Sequence, residues 1–134
     1  MTRLSATSPF VIDEWQEADL ISDDSLRVHS TKATKRYEGD FEGTSEAHLL
    51  MAYVNGEPTA YCGFERMVGT LGGREGSFVL HHDAGHGTEG GLRLEVVPGS
   101  GSDGLEGIEG SARIEITTGE NAGQHTMYFD YSLD

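Results

Sequence analysis

The sequence predicts an all-β fold, namely a closed antiparallel barrel of eight strands. Apolar residues recur mostly at a spacing of two, which is the period of a half-buried strand, and no segment has the pattern of a convincing helix. The 134 residues include 19 glycines, many of them in turn-like segments between the alternating stretches. With no helix to cover a sheet face, closing the sheet into a barrel removes its exposed edges. A two-sheet β-sandwich is the alternative.

Eight segments are expected to form the strands. The first five alternate imperfectly but end at Gly, Asn, Asp or Pro, which mark turns; they are residues 9–16, 26–39, 47–55, 59–68 and 76–83. The last three alternate cleanly and are residues 91–99, 111–117 and 125–133. The gaps are too short for crossover helices, so antiparallel hairpins should connect the strands. We expect residues 1–8 to be frayed or disordered and residues 9–134 to form a single barrel domain.

The composition limits the partners of the chain. Against 9 Lys and Arg stand 23 Asp and Glu, and the formal net charge is −14. This charge repels nucleic acid and anionic lipid, so we expect no nucleic-acid partner and no membrane partner. Cys62 is the single cysteine, which excludes an internal disulfide and agrees with a reducing compartment. With no apolar run as long as a signal peptide or a membrane span requires, the chain is expected to be cytoplasmic.

Two motifs in the middle of the chain can be compared with cofactor sites. Residues 69–76, GTLGGREG, lack the Lys of a phosphate-binding loop and precede a strand, so no nucleotide cofactor is expected. His81 and His82 project to opposite faces of a strand, so they cannot both bind one metal ion without a distortion of the strand. His82 with His86 across the turn is the alternative. We predict no metal and no other cofactor.

Three side chains are predicted to form a catalytic site. Tyr61 and Glu65 have the same parity in one segment, and His82 ends an apolar face of the next. If the intervening hairpin turns Glu65 and His82 into the same interior, a carboxylate, an imidazole and a phenol lie together in apolar surroundings. Burial is then expected to raise the pKa of the carboxyl group, which suits acid–base chemistry. The alternative is that Glu65 pairs with an arginine on the outer wall.

Further side chains are expected to bind the ligand of this site. Most are apolar and would form the walls of a cavity, and one is a cation; they are Met51, Phe78, Leu80, Met127, Phe129 and Arg74. Such a lining predicts a small, largely apolar metabolite as the partner.

A second subunit is the other expected partner. Residues 48–54 are apolar at both parities, so both faces of this strand should be covered. One face is expected to line the interior, and the other to contact a second subunit or a covering segment such as residues 9–15. The sequence thus predicts a homo-oligomer.

Four stretches of the chain carry a resemblance to a known family. They are residues 37–53, 60–85, 96–114 and 125–133. In this order they resemble a bacterial family catalogued as domain of unknown function 3224, whose members look like the allene oxide cyclase barrels. The resemblance implies a short barrel of that kind, with oligomers in some relatives. It matches three residues to a Y-x-G-x-E pattern, one to G-R-x-G-S-F and one to the histidine after F-V-L-x; they are Tyr61, Gly63, Glu65, Arg74 and His82.

The resemblance also implies a type of chemistry, because the related cyclases act on reactive apolar substrates without a cofactor. By analogy of fold, we predict a cofactor-independent isomerase or cyclase acting on a small, largely apolar metabolite in the barrel interior. Glu65 would be the base or charge stabiliser, His82 its acid–base partner and Tyr61 a hydrogen-bond donor. The alternative is a carrier or sensor that binds such a molecule unchanged. A third reading is a structural oligomer whose interior is filled by side chains.

Overall fold

The regular structure consists of strands over the residues that the computed structural model describes, which are 3–85, 92–116 and 125–133. Nine strands lie in these ranges: β1 (Arg3–Ser22), β2 (Leu26–Tyr37), β3 (Phe41–Val54), β4 (Glu57–Leu71), β5 (Arg74–Gly85), β6 (Arg93–Val96), β7 (Ser102–Asp103), β8 (Glu109–Ile116) and β9 (His125–Ser132). The all-β class predicted from the spacing of apolar residues is confirmed. These ranges contain no helix with the length and apolar character that crossing a membrane requires.

Eight of the strands form a ring. Hydrogen-bonded neighbours follow one another in the order β4, β3, β2, β1, β9, β8, β6 and β5, and β5 also pairs with β4. The short strand β7 pairs with β5 at Gly76 and Ser77. Every one of these described pairs is antiparallel. The strands therefore belong to one sheet whose two ends meet, and not to the two sheets of the alternative sandwich.

Tight turns explain why consecutive long strands are antiparallel. Asn55 and Gly56 join β3 to β4 with φ angles of 51° and 80°, and Gly72 and Gly73 join β4 to β5 with φ angles of 59° and 80°. Two successive residues with positive φ form the hairpin turn whose twist matches that of the flanking strands. The Asn-Gly and Gly-Gly pairs of the sequence are the residues that adopt this conformation most easily.

The N-terminal residues 3–8 belong to β1, although the sequence predicts that they fray. They pair with β9, and Ala6 and Ser8 are buried. The hydroxyl of Ser8 accepts a hydrogen bond of 2.8 Å from the backbone amide of Phe41. Backbone pairing and burial hold the segment in the ring, and the remainder of β1 pairs with β2.

The inner face of the ring carries the larger of two hydrophobic clusters, because the strand alternation turns its apolar residues inward. Phe78 stacks on Phe129 with ring centroids 5.5 Å apart, and Phe41 meets Phe78 edge to face. The buried members of this larger cluster are Ala6, Phe10, Tyr37, Phe41, Met67, Leu71, Phe78, Leu80, Val96, Leu105, Ile108, Met127, Phe129 and Tyr131.

A smaller hydrophobic cluster lies on the inner face of β2, β3 and β4. Its buried members are Ala33, Ala47 and Leu49, and the partly buried Met51 and Tyr61 pack against it. The two clusters occupy different positions along the same strands, which leaves the inner face between them for polar side chains.

Candidate functional site

A group of buried polar side chains, the polar group, lies between the two hydrophobic clusters. Its members are Lys35, Tyr37, Ser45, Glu65 and His82. On β4, Glu65 falls between Tyr61 of the smaller cluster and Met67 of the larger one. On β5, His82 follows the buried Leu80 at the same parity. The alternation that turns their apolar neighbours inward also turns Glu65 and His82 inward, and both side chains are buried.

Gly63 lies opposite His82 in the pairing of β4 with β5. It has no side chain, so none stands between Tyr61 and Glu65 on the inner face of β4. A Cβ atom at this position would lie 2.1 Å from the carbonyl oxygen of His48. The close approach of β3 and β4 therefore requires glycine here.

Four donors saturate the carboxylate of Glu65, which is fully buried. Its Oε1 atom accepts hydrogen bonds from Nζ of Lys35 at 3.2 Å and from Nε2 of His82 at 2.8 Å. Its Oε2 atom accepts from the hydroxyl groups of Tyr37 and Ser45, each at 2.6 Å. An ionised carboxylate offers about four acceptor positions, so this one is fully used within the protein.

These donors keep the Glu65 carboxyl group ionised. Burial raises its pKa, but the hydrogen bond from His82, the charge of Lys35 and the hydrogen bond from Ser45 outweigh burial and lower the pKa from 4.5 to about 2. The sequence-based expectation of a raised pKa is wrong, because it considered burial without the donors. Burial and the Glu65 charge raise the pKa of Tyr37 well above its usual value of 10.

His82 connects the buried carboxylate to Tyr61. An ionised carboxylate only accepts hydrogen bonds, so Nε2 of His82 carries a proton and donates a hydrogen bond to Glu65. The hydroxyl of Tyr61 lies 3.3 Å from Nδ1 of His82. When the imidazole is neutral, Nδ1 accepts and the tyrosine donates. Burial and the Glu65 charge raise the pKa of Tyr61 to about 12, so its hydroxyl is protonated at neutral pH.

Tyr61 also borders a cavity of about 360 Å³. Strands β3, β4 and β5 form the walls, which are mostly apolar; the lining residues are Met51, Ala52, Tyr53, Pro58, Thr59, Ala60, Tyr61, Ala84 and Gly85. The His29 ring stacks on Tyr53 with centroids 5.3 Å apart. Tyr61 is thus the residue that both lines the cavity and contacts the buried polar group.

The structure brings together the three residues predicted to be catalytic, but most of the predicted ligand-binding residues do not line the cavity beside Tyr61. Met51 lines the cavity beside Tyr61. The other four apolar residues are at most 1% exposed and pack in the larger cluster; they are Phe78, Leu80, Met127 and Phe129. Those four side chains fill their part of the interior with one another.

Arg74 lies far from this group. It begins β5, while His82 is eight residues further along the same strand, or about 26 Å at the rise of an extended chain. The arginine is exposed. Its match to a family motif therefore does not place it beside the predicted catalytic residues.

Sequence reasoning missed three donors of the polar group, namely Lys35, Tyr37 and Ser45. A signal existed in β2, where Lys35 shares its parity with Ala33 and Tyr37. A lysine therefore stands on the face of this strand that points into the interior. The register that sets β2 and β3 beside Glu65 could not be obtained from single segments. Without that register, the lysine has the appearance of an ordinary surface residue.

The predicted absence of a metal remains a prediction. His81 and His82 do lie on opposite faces, since His81 is exposed and His82 buried. His86, the alternative partner of His82, lies outside the described residues. Within residues 3–85, 92–116 and 125–133, no three His, Cys, Asp or Glu side chains are grouped to hold a metal ion.

The family model and the solved structure that match this chain are both described as of unknown function. A family model described as "Protein of unknown function (DUF3224)" matches residues 6–131. One similar protein has a crystal structure at 1.84 Å resolution; it is a protein with unknown function from the DUF3224 family, from Shewanella oneidensis MR-1. Its sequence is 28% identical to that of the chain. The match covers 99% of each chain with a TM-score of 0.82. No curated protein matches. The likeness to allene oxide cyclases stays a prediction, because neither description mentions it.

Proposed function

The chain belongs to the DUF3224 family, and on that premise we propose that it is a cofactor-independent isomerase or cyclase. Its substrate would be a small, largely apolar metabolite held in the cavity beside Tyr61. The eight-stranded ring would serve as a short closed barrel, filled by side chains in one part and open to the substrate in the other.

One observation supports this proposal above the others. Tyr61 lines the cavity and at the same time lies 3.3 Å from His82, which is bonded to the buried Glu65. A carboxylate, an imidazole and a hydroxyl in this order form a chain along which a proton can be held and exchanged. The hydroxyl at the end of that chain is the group that a bound molecule would meet.

The roles of the three residues follow from their environments. Tyr61, protonated at neutral pH, would donate a hydrogen bond or a proton to a substrate oxygen on which negative charge develops. When protonated on both nitrogens, His82 would pass its Nδ1 proton to the Tyr61 oxygen as Tyr61 gives its own proton to the substrate. The neutral imidazole would take the proton back in the reverse transfer that completes the isomerisation, with Nε2–H still bonded to Glu65. Glu65 would be a positioning residue, because all its acceptor positions are used and it is not among the residues that line the cavity. It would hold the imidazole with Nδ1 towards the tyrosine. This differs from the sequence-based expectation that Glu65 is the base.

A carrier or sensor is the second candidate. The full burial of Glu65 and its four hydrogen bonds favour a carrier or sensor. A carboxylate with all its acceptor positions used stabilises the fold whether or not the protein catalyses a reaction. The mostly apolar cavity would then bind the metabolite by shape and burial, with the Tyr61 hydroxyl fixing its polar end.

The first experiment identifies the bound molecule. Native mass spectrometry of protein purified under mild conditions should show an adduct, and mass spectrometry after denaturation should identify the released compound. Adding that compound back should raise the thermal midpoint of the emptied protein, because a ligand that binds only the folded state stabilises it. Met51→Trp, which fills the cavity, should abolish both the adduct and the stabilisation, whereas Leu20→Ala on the exposed part of β1 should leave both unchanged.

Turnover separates the two candidates. If the protein is an enzyme, the compound or its isomer should convert when incubated with the protein, and Tyr61→Phe and His82→Ala should each slow conversion about 10²-fold or more. If it is a carrier, the compound binds and is released unchanged. Conversion that both variants retain within about threefold would refute the catalytic roles, since lost acid–base groups cost far more.

A further inference from the structure

The outer face of β3 and β4 exposes a set of apolar side chains. Phe64 is 55% exposed, Leu50 47% and Val68 43%. The sequence predicts that this face of β3 is covered, either by a second subunit or by residues 9–15. Residues 9–15 instead lie within β1, as part of the ring. Within the described parts of the chain, this apolar face has no cover.

The shape of this outer face fits a projecting ring. Phe64 stands between two grooves and borders both of them, as does His48. One groove measures about 620 Å³ and the other about 600 Å³. A ridge with a groove on each side is complementary to a copy of itself, because the ridge of one molecule can occupy a groove of the other.

The charges on this face also suit a second copy of an acidic chain. The molecule has a net charge of −14, so two copies repel over most orientations. The outer face carries both signs, however: Glu46 lies directly opposite Arg66 in the pairing of β3 with β4, and Lys32 lies on the wall of the larger groove. A two-fold axis through the face would bring each carboxylate towards cations of the other molecule.

The exposed apolar residues of β1 lack the two grooves that flank Phe64. Leu20 is 58% exposed and Ile21 47%, but neither residue lines either groove. A second copy would therefore find no groove there for a projecting ring. The outer face of β3 and β4 is therefore the better surface for self-association.

We propose that this outer face is a homodimer interface, in which Phe64 of each molecule occupies a groove of the other around a two-fold axis. The interface would lie directly behind the candidate site. Phe64 precedes Glu65 on β4, and it stacks on His81, which precedes His82 on β5, with ring centroids 5.2 Å apart. Dimerisation would thus hold the two strands that position the polar group, whether the site is catalytic or a carrier.

The test is the mass of the protein in solution, measured by sedimentation equilibrium over a range of concentrations. Wild-type protein should have twice the 14.5 kDa mass of one chain. Phe64→Glu should give monomers, with an unchanged circular dichroism spectrum because the side chain is exposed. Leu20→Glu is the matched control, since it adds the same charge at an exposed apolar residue of β1, and it should remain dimeric.

A milder change keeps the test informative if Phe64→Glu does not fold. Arg66→Glu alters only an exposed charge, and it should raise the dimer dissociation constant about tenfold or more, because it places like charges at the interface. Three results would overturn the proposal: a wild-type monomer at every concentration, a dimer unaffected by both Phe64→Glu and Arg66→Glu, or a dimer that Leu20→Glu dissociates.

Discussion

Replacing Glu65 with glutamine should destabilise the protein by about 3 kcal/mol at pH 7. The carboxyl pKa of Glu65 is about 2 in the folded protein, against 4.5 for an unperturbed group. This difference corresponds to about 3 kcal/mol of stability, which is present when the carboxyl is ionised in both states. Breaking a buried ion pair by removing one partner typically costs about 3–5 kcal/mol, which agrees. In the variant, the cation of Lys35 stays buried without its counter-charge.

The pH dependence gives this prediction its sign. Because the folded pKa is the lower one, the stabilisation is present above pH 4.5 and is lost as the pH falls from about 4.5 towards about 2. Urea unfolding should be followed by circular dichroism from pH 7 to pH 2. At pH 7 the wild-type protein should be about 3 kcal/mol more stable than Glu65→Gln. Near pH 2 the wild type and the variant should become equally stable. Other carboxylates titrate in both proteins and cancel in the difference.

Glu46→Gln is the matched control for this measurement. The pKa of Glu46 is also lowered, first by its hydrogen bond with His48 and then by the charge of Lys32, but its side chain is exposed. Exposed ion pairs contribute little to stability, so this variant should unfold like the wild type. A Glu65→Gln variant that loses no more stability than Glu46→Gln at pH 7, or whose loss of stability persists undiminished at pH 2, would contradict a buried and ionised Glu65.

Three further outcomes are expected. Lys35→Met should cost about 3–5 kcal/mol in urea unfolding at pH 7, and its combination with Glu65→Leu should cost less than the sum of the single changes; strictly additive losses would contradict the pairing. Gly63→Ala should lower the calorimetric midpoint by several degrees, because its Cβ would meet the His48 carbonyl oxygen, and an unchanged midpoint would contradict that contact. Tyr61→Phe should change the unfolding free energy by only about 1 kcal/mol, since it removes one hydrogen bond, and a larger loss would give the hydroxyl a structural role.

The fold class could be predicted from the sequence because the period of two is a local property. Met127, Phe129 and Tyr131 share a face in the sequence and are buried together in the structure. The first and last residues of the strands could not be predicted as well from the sequence. Residues 3–8 look unpatterned by themselves, and only their pairing with β9, more than a hundred residues away, keeps them in the ring.

The candidate site could be predicted in part for the same reason. The parity of Glu65 and His82 is local, and so is the expectation that both point inward. The donors Lys35, Tyr37 and Ser45 come from β2 and β3, and their distance to Glu65 depends on register across three strands. Missing them led directly to the wrong sign for the carboxyl pKa, since burial without donors raises it.

The family motifs indicate that the chain belongs to the family, but they do not show which of the matched residues lie together in the structure. The Y-x-G-x-E pattern contains the tyrosine that borders the cavity, the glycine that allows the strands to approach, and the buried carboxylate. Arg74 matches a motif equally well, yet it lies at the opposite end of β5 from His82. A matched residue therefore acquires a place in a site only when the topology brings it there.

The protonation of the His82 ring tests most directly the claim that Glu65 holds the imidazole with Nδ1 towards Tyr61. Two-dimensional NMR spectra of protein labelled with ¹⁵N at histidine distinguish the two ring nitrogens. We expect a proton on Nε2 at every pH at which the protein is folded and Glu65 is ionised, and the loss of this preference in Glu65→Gln. A neutral imidazole that carries its proton on Nδ1 would contradict the hydrogen bond from His82 to Glu65.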